Sequence, residues 1–235
     1  MRYILSALVI MGLLQLSSCK KESSSAAKEP EWLKQDLLAY FPFNGNAKDS
    51  SGNGYDGVPN GIVQSTTDRN GKSNAALYFN NGEVLANINN SIFNKDFTVS
   101  LWVQLEEFTS QYAKLIWGND CFVMEYVRDA NPRVLSFYLY TPGYGTSAFS
   151  TAVINFTSWT NITITNTNGF SSLYINGTYL NKSQTARPPA GTGNTNFIKF
   201  GNATLNVHHF KGKLDEIRFY KRALTDEEVK YLYQN

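Results

Sequence analysis

Phe97-Thr98-Val99-Ser100-Leu101-Trp102-Val103-Gln104-Leu105 sets apolar against polar side chains with no glycine or proline to break the run. Alternation at period two, rich in β-branched and aromatic residues, is the pattern of a strand. Runs of the same kind recur on either side, separated by turn residues. Leu37–Phe43 and Ala75–Phe79 precede it; Lys114–Trp117, Cys121–Arg128, Val134–Tyr140, Thr160–Thr165, Ser171–Ile175, Asn196–Gly201 and Lys213–Tyr220 follow. Asn176-Gly177 lies between Ser171–Ile175 and Tyr179–Leu180, and Asn-Gly is the pair that closes a two-residue hairpin. One segment reads as a helix, at the C-terminus. Thr225-Asp226-Glu227-Glu228 is a capping box, and Val229, Leu232 and Tyr233 follow at i, i+3 and i+4 to form an apolar face. Many strands and one short helix predict an all-β domain of two packed antiparallel sheets.

The composition agrees. Charged residues make up 17% of the chain and aromatic residues 14%, while Asn, Thr, Ser and Gly are frequent, as strands joined by tight turns require. A net charge of +2 without a clustered basic stripe in the domain argues against a nucleic-acid partner.

The N-terminus carries a different signal. Arg2 is followed by an apolar stretch from Tyr3 to Leu14, about a dozen residues, the length of a signal-peptide core and short of the roughly 20 that a membrane span needs. Leu16-Ser17-Ser18-Cys19 then resembles the lipobox of bacterial lipoproteins. The resemblance implies that residues 1–18 are a lipoprotein signal peptide and that Cys19 carries the lipid. Residues 19–35 read as a flexible tether, because Lys20 to Pro30 offer too little apolar surface to offset the entropy of ordering. The domain proper is then 36–235. Cys121 is left without an intramolecular partner and reads as a buried strand thiol. The expected location is the cell envelope, at the outer membrane of a Gram-negative bacterium, with membrane contact through the lipid alone.

Four stretches in order carry a further resemblance. Leu38 to Gly54 (LAYFPFNGNAKDSSGNG), Phe97 to Val103, Trp159 to Ile164 with Leu173-Tyr174-Ile175-Asn176-Gly177, and Gly212 to Leu224 (GKLDEIRFYKRAL) are similar to the strands and turns of laminin G-like, concanavalin A-like domains in bacterial surface proteins. The resemblance implies a two-sheet antiparallel jelly-roll sandwich with one short C-terminal helix. It says little of function, since the fold hosts lectins, hydrolases, lyases and adhesion modules.

Asp49-Ser50-Ser51-Gly52-Asn53-Gly54 sets oxygen-bearing side chains at alternate positions, as the first half of an EF-hand loop does. Its twelfth position, however, is Asn60 rather than a bidentate Glu. The family resemblance implies another arrangement, a structural calcium tying the first strand to the last through Asn44, Asp49, Asn53 and Asp215. The alternative is that Asp49 and Asn53 form Asx-turns and Asp215 pairs with a basic neighbour.

Trp102 and Trp159, inside alternating strands, read as core. Trp117 ends an apolar strand beside Gly118-Asn119-Asp120, so it is expected to keep one face for a ligand, with Tyr140 or Tyr144 beside it and Asn119 and Asp120 to bond hydroxyls. Catalytic signals are missing. No strand carries the Glu-x-Asp-x-x-Glu pattern that would flank a glycosidic bond, and Glu125 is the one carboxylate inside a mid-chain aromatic strand. The reading is a non-catalytic carbohydrate-binding or adhesion module with a glycan or polysaccharide as partner. A protein–protein interaction module is the first alternative, and a polysaccharide hydrolase or lyase the second.

Overall fold

Strand parity sorts the side chains of this protein into an inner and an outer set. The computed structural model describes residues 29–118, 122–130, 133–141, 145–152, 157–185, 196–203 and 208–235. Among these, the strands are β1 (Leu37–Phe41), β2 (Gly57–Thr66), β3 (Ala76–Ala86), β4 (Phe97–Glu107), β5 (Tyr112–Trp117), β6 (Phe122–Val127) and β7 (Val134–Thr141). They continue with β8 (Gly145–Ala152), β9 (Thr160–Thr167), β10 (Phe170–Ile175), β11 (Thr178–Gln184), β12 (Ile198–Phe200) and β13 (Lys211–Tyr220), and then the helix α1 (Asp226–Gln234). The ladder runs β11-β10-β9-β4-β13-β3-β12-β5-β6-β7-β8, with β1 on β13 and β2 on β3.

The hydrogen-bonded sheet is therefore continuous. It curls over so that its two halves face each other. Phe41, Phe79, Leu101, Ile164, Leu173 and Phe219 from one half share a buried core with Leu115, Phe122, Phe137 and Phe200 from the other. The result is the antiparallel sandwich that the strand pattern predicted, in the form that the family resemblance implied. Phe122 shows how close the packing is: its ring stacks on Phe93 at 4.2 Å and meets Phe137 at 5.2 Å. Truncating such a ring costs about 3–5 kcal/mol, a large part of a typical domain's stability.

In β4 the inner set is Phe97, Val99, Leu101, Val103 and Leu105; in β9 it is Ile162 and Ile164. Thr98, Ser100 and Trp102 therefore point the other way, opposite Thr165, Thr163 and Asn161. β13 keeps this parity through a bulge. Its register on β4 shifts between Asp215 and Arg218, and Glu216 takes φ 53, so Leu214 and Ile217 both reach the core.

α1 packs on the outer face, against Trp102 of β4, Tyr174 of β10 and Tyr220 of β13. The capping box forms as the sequence predicts, with Glu228 N–H donating to Thr225 Oγ1 at 3.3 Å and Thr225 N–H donating to Glu228 Oε2 at 2.9 Å. Val229 and Leu232 bury against Tyr174, Tyr220 and Leu224. Leu33 joins that cluster, Trp32 meets Tyr231 edge-on at 5.2 Å, and Tyr220 Oη donates to the Leu33 carbonyl at 3.1 Å. Residues 32–35, expected in the tether, thus pack on the domain, because Trp32 and Leu33 are apolar enough to be drawn down.

β2 and β8 were not expected. β2 contains Pro59 and Gly61 and is exposed along most of its length, so burial imposed no alternation on it. β8, Gly-Thr-Ser-Ala-Phe-Ser-Thr-Ala, is built of small and polar residues apart from Phe149.

Candidate functional site

The register of β9, β4 and β13 places Asn161, Trp102 and Asp215 side by side on the outer face. Trp102 is buried, as expected from its strand, but outside the main core and beneath a small superstructure. Tyr233 from α1 stacks on its ring at 5.5 Å and 22°, and the Arg69 guanidinium sits 4.6 Å from the ring centroid. Trp102 keeps 7 % of its surface exposed.

Arg69 is delivered by the loop after β2. Asp68 Oδ1 accepts the N–H groups of Asn70 and Lys72, both at 2.8 Å, which folds the loop into an Asx-type turn. Arg69 then donates Nη1 to Asp215 Oδ2 at 3.3 Å and Nη2 to the Asn235 carbonyl at 2.9 Å. Tyr233 is seated by the Asn176-Gly177 turn, whose residues take φ 50 and 69 as a two-residue hairpin requires. A Cβ on Gly177 would lie 2.9 Å from the Tyr233 Cβ, so only glycine allows this approach.

Beside this stack opens a cleft of about 410 Å³. Trp102, Trp159 and Tyr233 supply its aromatic walls; Arg69, Asn70, Gln234 and Asn235 supply polar groups. Trp159 is half-buried just ahead of β9, with the Lys213 ammonium 6.0 Å from its ring centroid. Flat aromatic surface next to amide and guanidinium groups can cover the apolar face of a sugar ring while bonding its hydroxyls. Both tryptophans were expected in the core. Parity marks them otherwise: with Val99, Leu101 and Val103 inward, Trp102 must face outward, and so must Trp159 with Ile162 and Ile164 inward.

Asp215 is 1 % exposed beneath Arg69. Burial, reinforced by the nearby Glu216 charge and opposed by Arg69, pushes its carboxyl up to about 8.

The expected calcium set does not fit an ion. Asp49 Oδ1 accepts the N–H groups of Tyr40 and Ser51, each at 2.9 Å; its Oδ2 accepts the Ser51 hydroxyl at 2.8 Å and Tyr55 N–H at 3.0 Å. Burial alone would raise this carboxyl, but these donors together hold it below its ordinary value. Asn53 turns its Nδ2 donor, not its oxygen, toward the Leu37 and Leu38 carbonyls. The Asn44 carbonyl accepts Asn46 Nδ2 at 3.1 Å. Asp215 already faces Arg69. Among the described residues no three His, Cys, Asp or Glu side chains gather at a metal-binding distance. The loop is closed by its own hydrogen bonds, the Asx-turn alternative.

The expected ligand face is also corrected. Trp117 does point away from the main core, but Val123, Ala203, Phe197 and Tyr138 enclose it, leaving 2 % exposed. Its ring lies 6.0 Å from that of Phe197, which precedes β12 in the segment laid alongside β5. Trp117 thus has no open face to stack on a ligand. Tyr140 lies in β7, its side chain outside the description; Asn119, Asp120, Tyr144, Cys19 and Cys121 lie outside the described residues. Glu125, the lone mid-chain carboxylate, forms a buried ion pair with Lys114, with the Tyr112 and Tyr138 rings 5.2 and 5.7 Å from the ammonium.

The chain belongs to the concanavalin A-like lectin/glucanases superfamily: a laminin G family model of that description matches residues 66–230. No curated protein matches. Among solved structures, the chain is similar to the binding domain of Paraclostridial Mosquitocidal Protein 1, at 24% identity and a TM-score of 0.68, over 86% of this chain and 52% of that one. It is similar to the binding domain of botulinum neurotoxin DC, solved in complex with rat synaptotagmin II, at 15% identity and a TM-score of 0.62, over 86% and 52%. It is also similar to domain 4 of AbnA, a GH43 extracellular arabinanase from Geobacillus stearothermophilus, solved with arabinotriose. That match has 22% identity and a TM-score of 0.65, over 85% of this chain and 98% of that one. The chain spans about half the length of the toxin binding domains. At these identities the likeness is one of fold.

Proposed function

We propose that this protein is a non-catalytic carbohydrate-binding module, held at the cell envelope by a lipid on Cys19, with the Trp102–Trp159–Tyr233 cleft as its ligand site. The cleft carries the reading: three aromatic side chains and several amide or guanidinium groups converge on one opening, on strands and a helix that hold them in place. The superfamily and the arabinotriose bound to a protein of this fold are consistent with it. Binding is favoured over hydrolysis because Glu125 is tied to Lys114, and Asp215 lies buried under Arg69. Envelope attachment rests on Leu16-Ser17-Ser18-Cys19 and the polar run behind it.

A glycan array probed with the purified protein tests the reading. Trp159→Ala should reduce retention on every glycan that the wild type binds by about tenfold or more, or ~1.4 kcal/mol, with little change in melting temperature. Unaltered binding by Trp159→Ala would reject the site. A protein partner is the second reading. It is favoured by β2, whose Val58 and Ile62 stand exposed on a strand that pairs only with β3 among the described residues.

A further inference from the structure

We infer that the ligand is a neutral oligosaccharide long enough to cross Tyr233 into a second depression on the other flank of α1, an inference that rests on the carbohydrate reading of the first cleft. The second depression, of about 460 Å³, lies between the β10–β11 hairpin and α1. Tyr233 and Gln234 line both openings, so one residue pair separates them. Although stacked on Trp102, Tyr233 remains 37 % exposed. It forms a saddle rather than a wall.

The far side repeats the chemistry of the near side. Tyr179 is 50 % exposed and lines the depression, propped edge-on by Tyr174 at 5.7 Å. Tyr174 Oη donates to Asp226 Oδ1 at 2.6 Å, which pins the hairpin to the start of α1. The Gly177 contact with Tyr233 pins it again near the end of α1. A floor fastened at both ends is ordered before the ligand arrives, which limits the entropy lost on binding. Aromatic surface is thus offered at Trp159, Tyr233 and Tyr179 in turn, with polar side chains between.

Charge narrows the ligand class. Arg69 and the Lys213 ammonium beside Trp159 make the first cleft positive, while Asp226 and Glu227 outnumber Lys230 in the lining of the second. No single sign runs along the path, so the path as a whole would not select a uronic or sulfated polymer. Hydroxyl-rich neutral sugars match this mixture of donors and acceptors.

Calorimetric titration of the full chain tests this with two neutral series, arabinose, arabinotriose and arabinohexaose, and glucose, cellotriose and cellohexaose, and with hexagalacturonate as the acidic control. In a neutral series that binds, the hexamer should bind about tenfold more tightly than the trimer. Tyr179→Ala should remove that gain and leave trimer affinity within about twofold, whereas Trp159→Ala should weaken both. Raising salt from about 50 to 500 mM should change hexamer affinity by less than about twofold. Equal affinity for trimer and hexamer, or a Tyr179→Ala variant that keeps the gain, would overturn the extended path while leaving the cleft intact. Preference for hexagalacturonate would overturn neutrality. A Trp159→Ala variant that binds as the wild type does would overturn the cleft itself, and failure of every neutral sugar to bind would overturn both.

Discussion

Asp215→Asn isolates the electrostatics beneath the cleft. The change keeps the size of the side chain and an oxygen for Glu216 N–H, which donates to Asp215 Oδ1 at 2.9 Å, but it removes the ionisation. In the folded chain the carboxyl titrates near 8 instead of its ordinary 3.8, chiefly because it is buried. Between about pH 4 and 8 the folded chain therefore holds a proton that the unfolded chain has released. Stability from this group is complete below about pH 4 and is lost as pH rises toward 8. At 1.36 kcal/mol per pH unit, the loss between pH 5 and 9 is ~4 kcal/mol. Asparagine has no such slope. Urea unfolding followed by tryptophan fluorescence at pH 5, 7 and 9 should show the variant gaining on the wild type by that order across the range. Subtracting the two curves cancels the titrating groups that are not coupled to Asp215. A difference that stays flat, or a variant less stable than the wild type at pH 9, would refute the reasoning. It would mean that attraction to Arg69 outweighs burial.

Three further outcomes follow from the same structure. Trp117→Ala should destabilise the domain by roughly 3–5 kcal/mol, as emptying an enclosed aromatic site does, while affinity per folded molecule stays unchanged in the titrations above. Millimolar calcium should leave the melting temperature where chelator puts it; an ion held only by the native state would add ~2.7 kcal/mol at a hundredfold excess over its Kd, and such a rise would restore the calcium site. Cys19→Ala should abolish labelling by a palmitate analogue without altering the domain's melting profile, and equal labelling of both proteins would end the lipid-anchor proposal.

Most of the strands were legible because burial writes period-two alternation into sequence, as Phe97 to Leu105 shows. β2 and β8 escaped for the converse reason: an exposed strand with Pro59 and Gly61, and one whose single large apolar residue is Phe149, carry little of that pattern. The hairpin at Asn176-Gly177 and the helix cap at Thr225 were readable because each depends on a local rule about φ or a free backbone amide. The site was harder. Its members come from β4, the loop after β2, the residue before β9 and α1, and no spacing in the chain joins Arg69 to Trp102 or Tyr233. Parity in β4 and β9 did mark Trp102 and Trp159 as outward. Taking Trp102 and Trp159 as core because their strands alternate overlooked it. Trp117 shows the opposite limit. Its strand end looked open, and only the fold brings Phe197 and Ala203 over it.

The most direct test of the cleft is to watch the tryptophans themselves. The chain has four, Trp32, Trp102, Trp117 and Trp159, so its indole N–H signals in an ¹⁵N–¹H spectrum are few enough to assign by single substitutions. On titration with a glycan that the protein retains on the array, the Trp159 signal should move most, Trp102 should follow, and Trp117 should stay in place. Movement of Trp117 with Trp159 unmoved would contradict the account and return the ligand to the face at the end of β5.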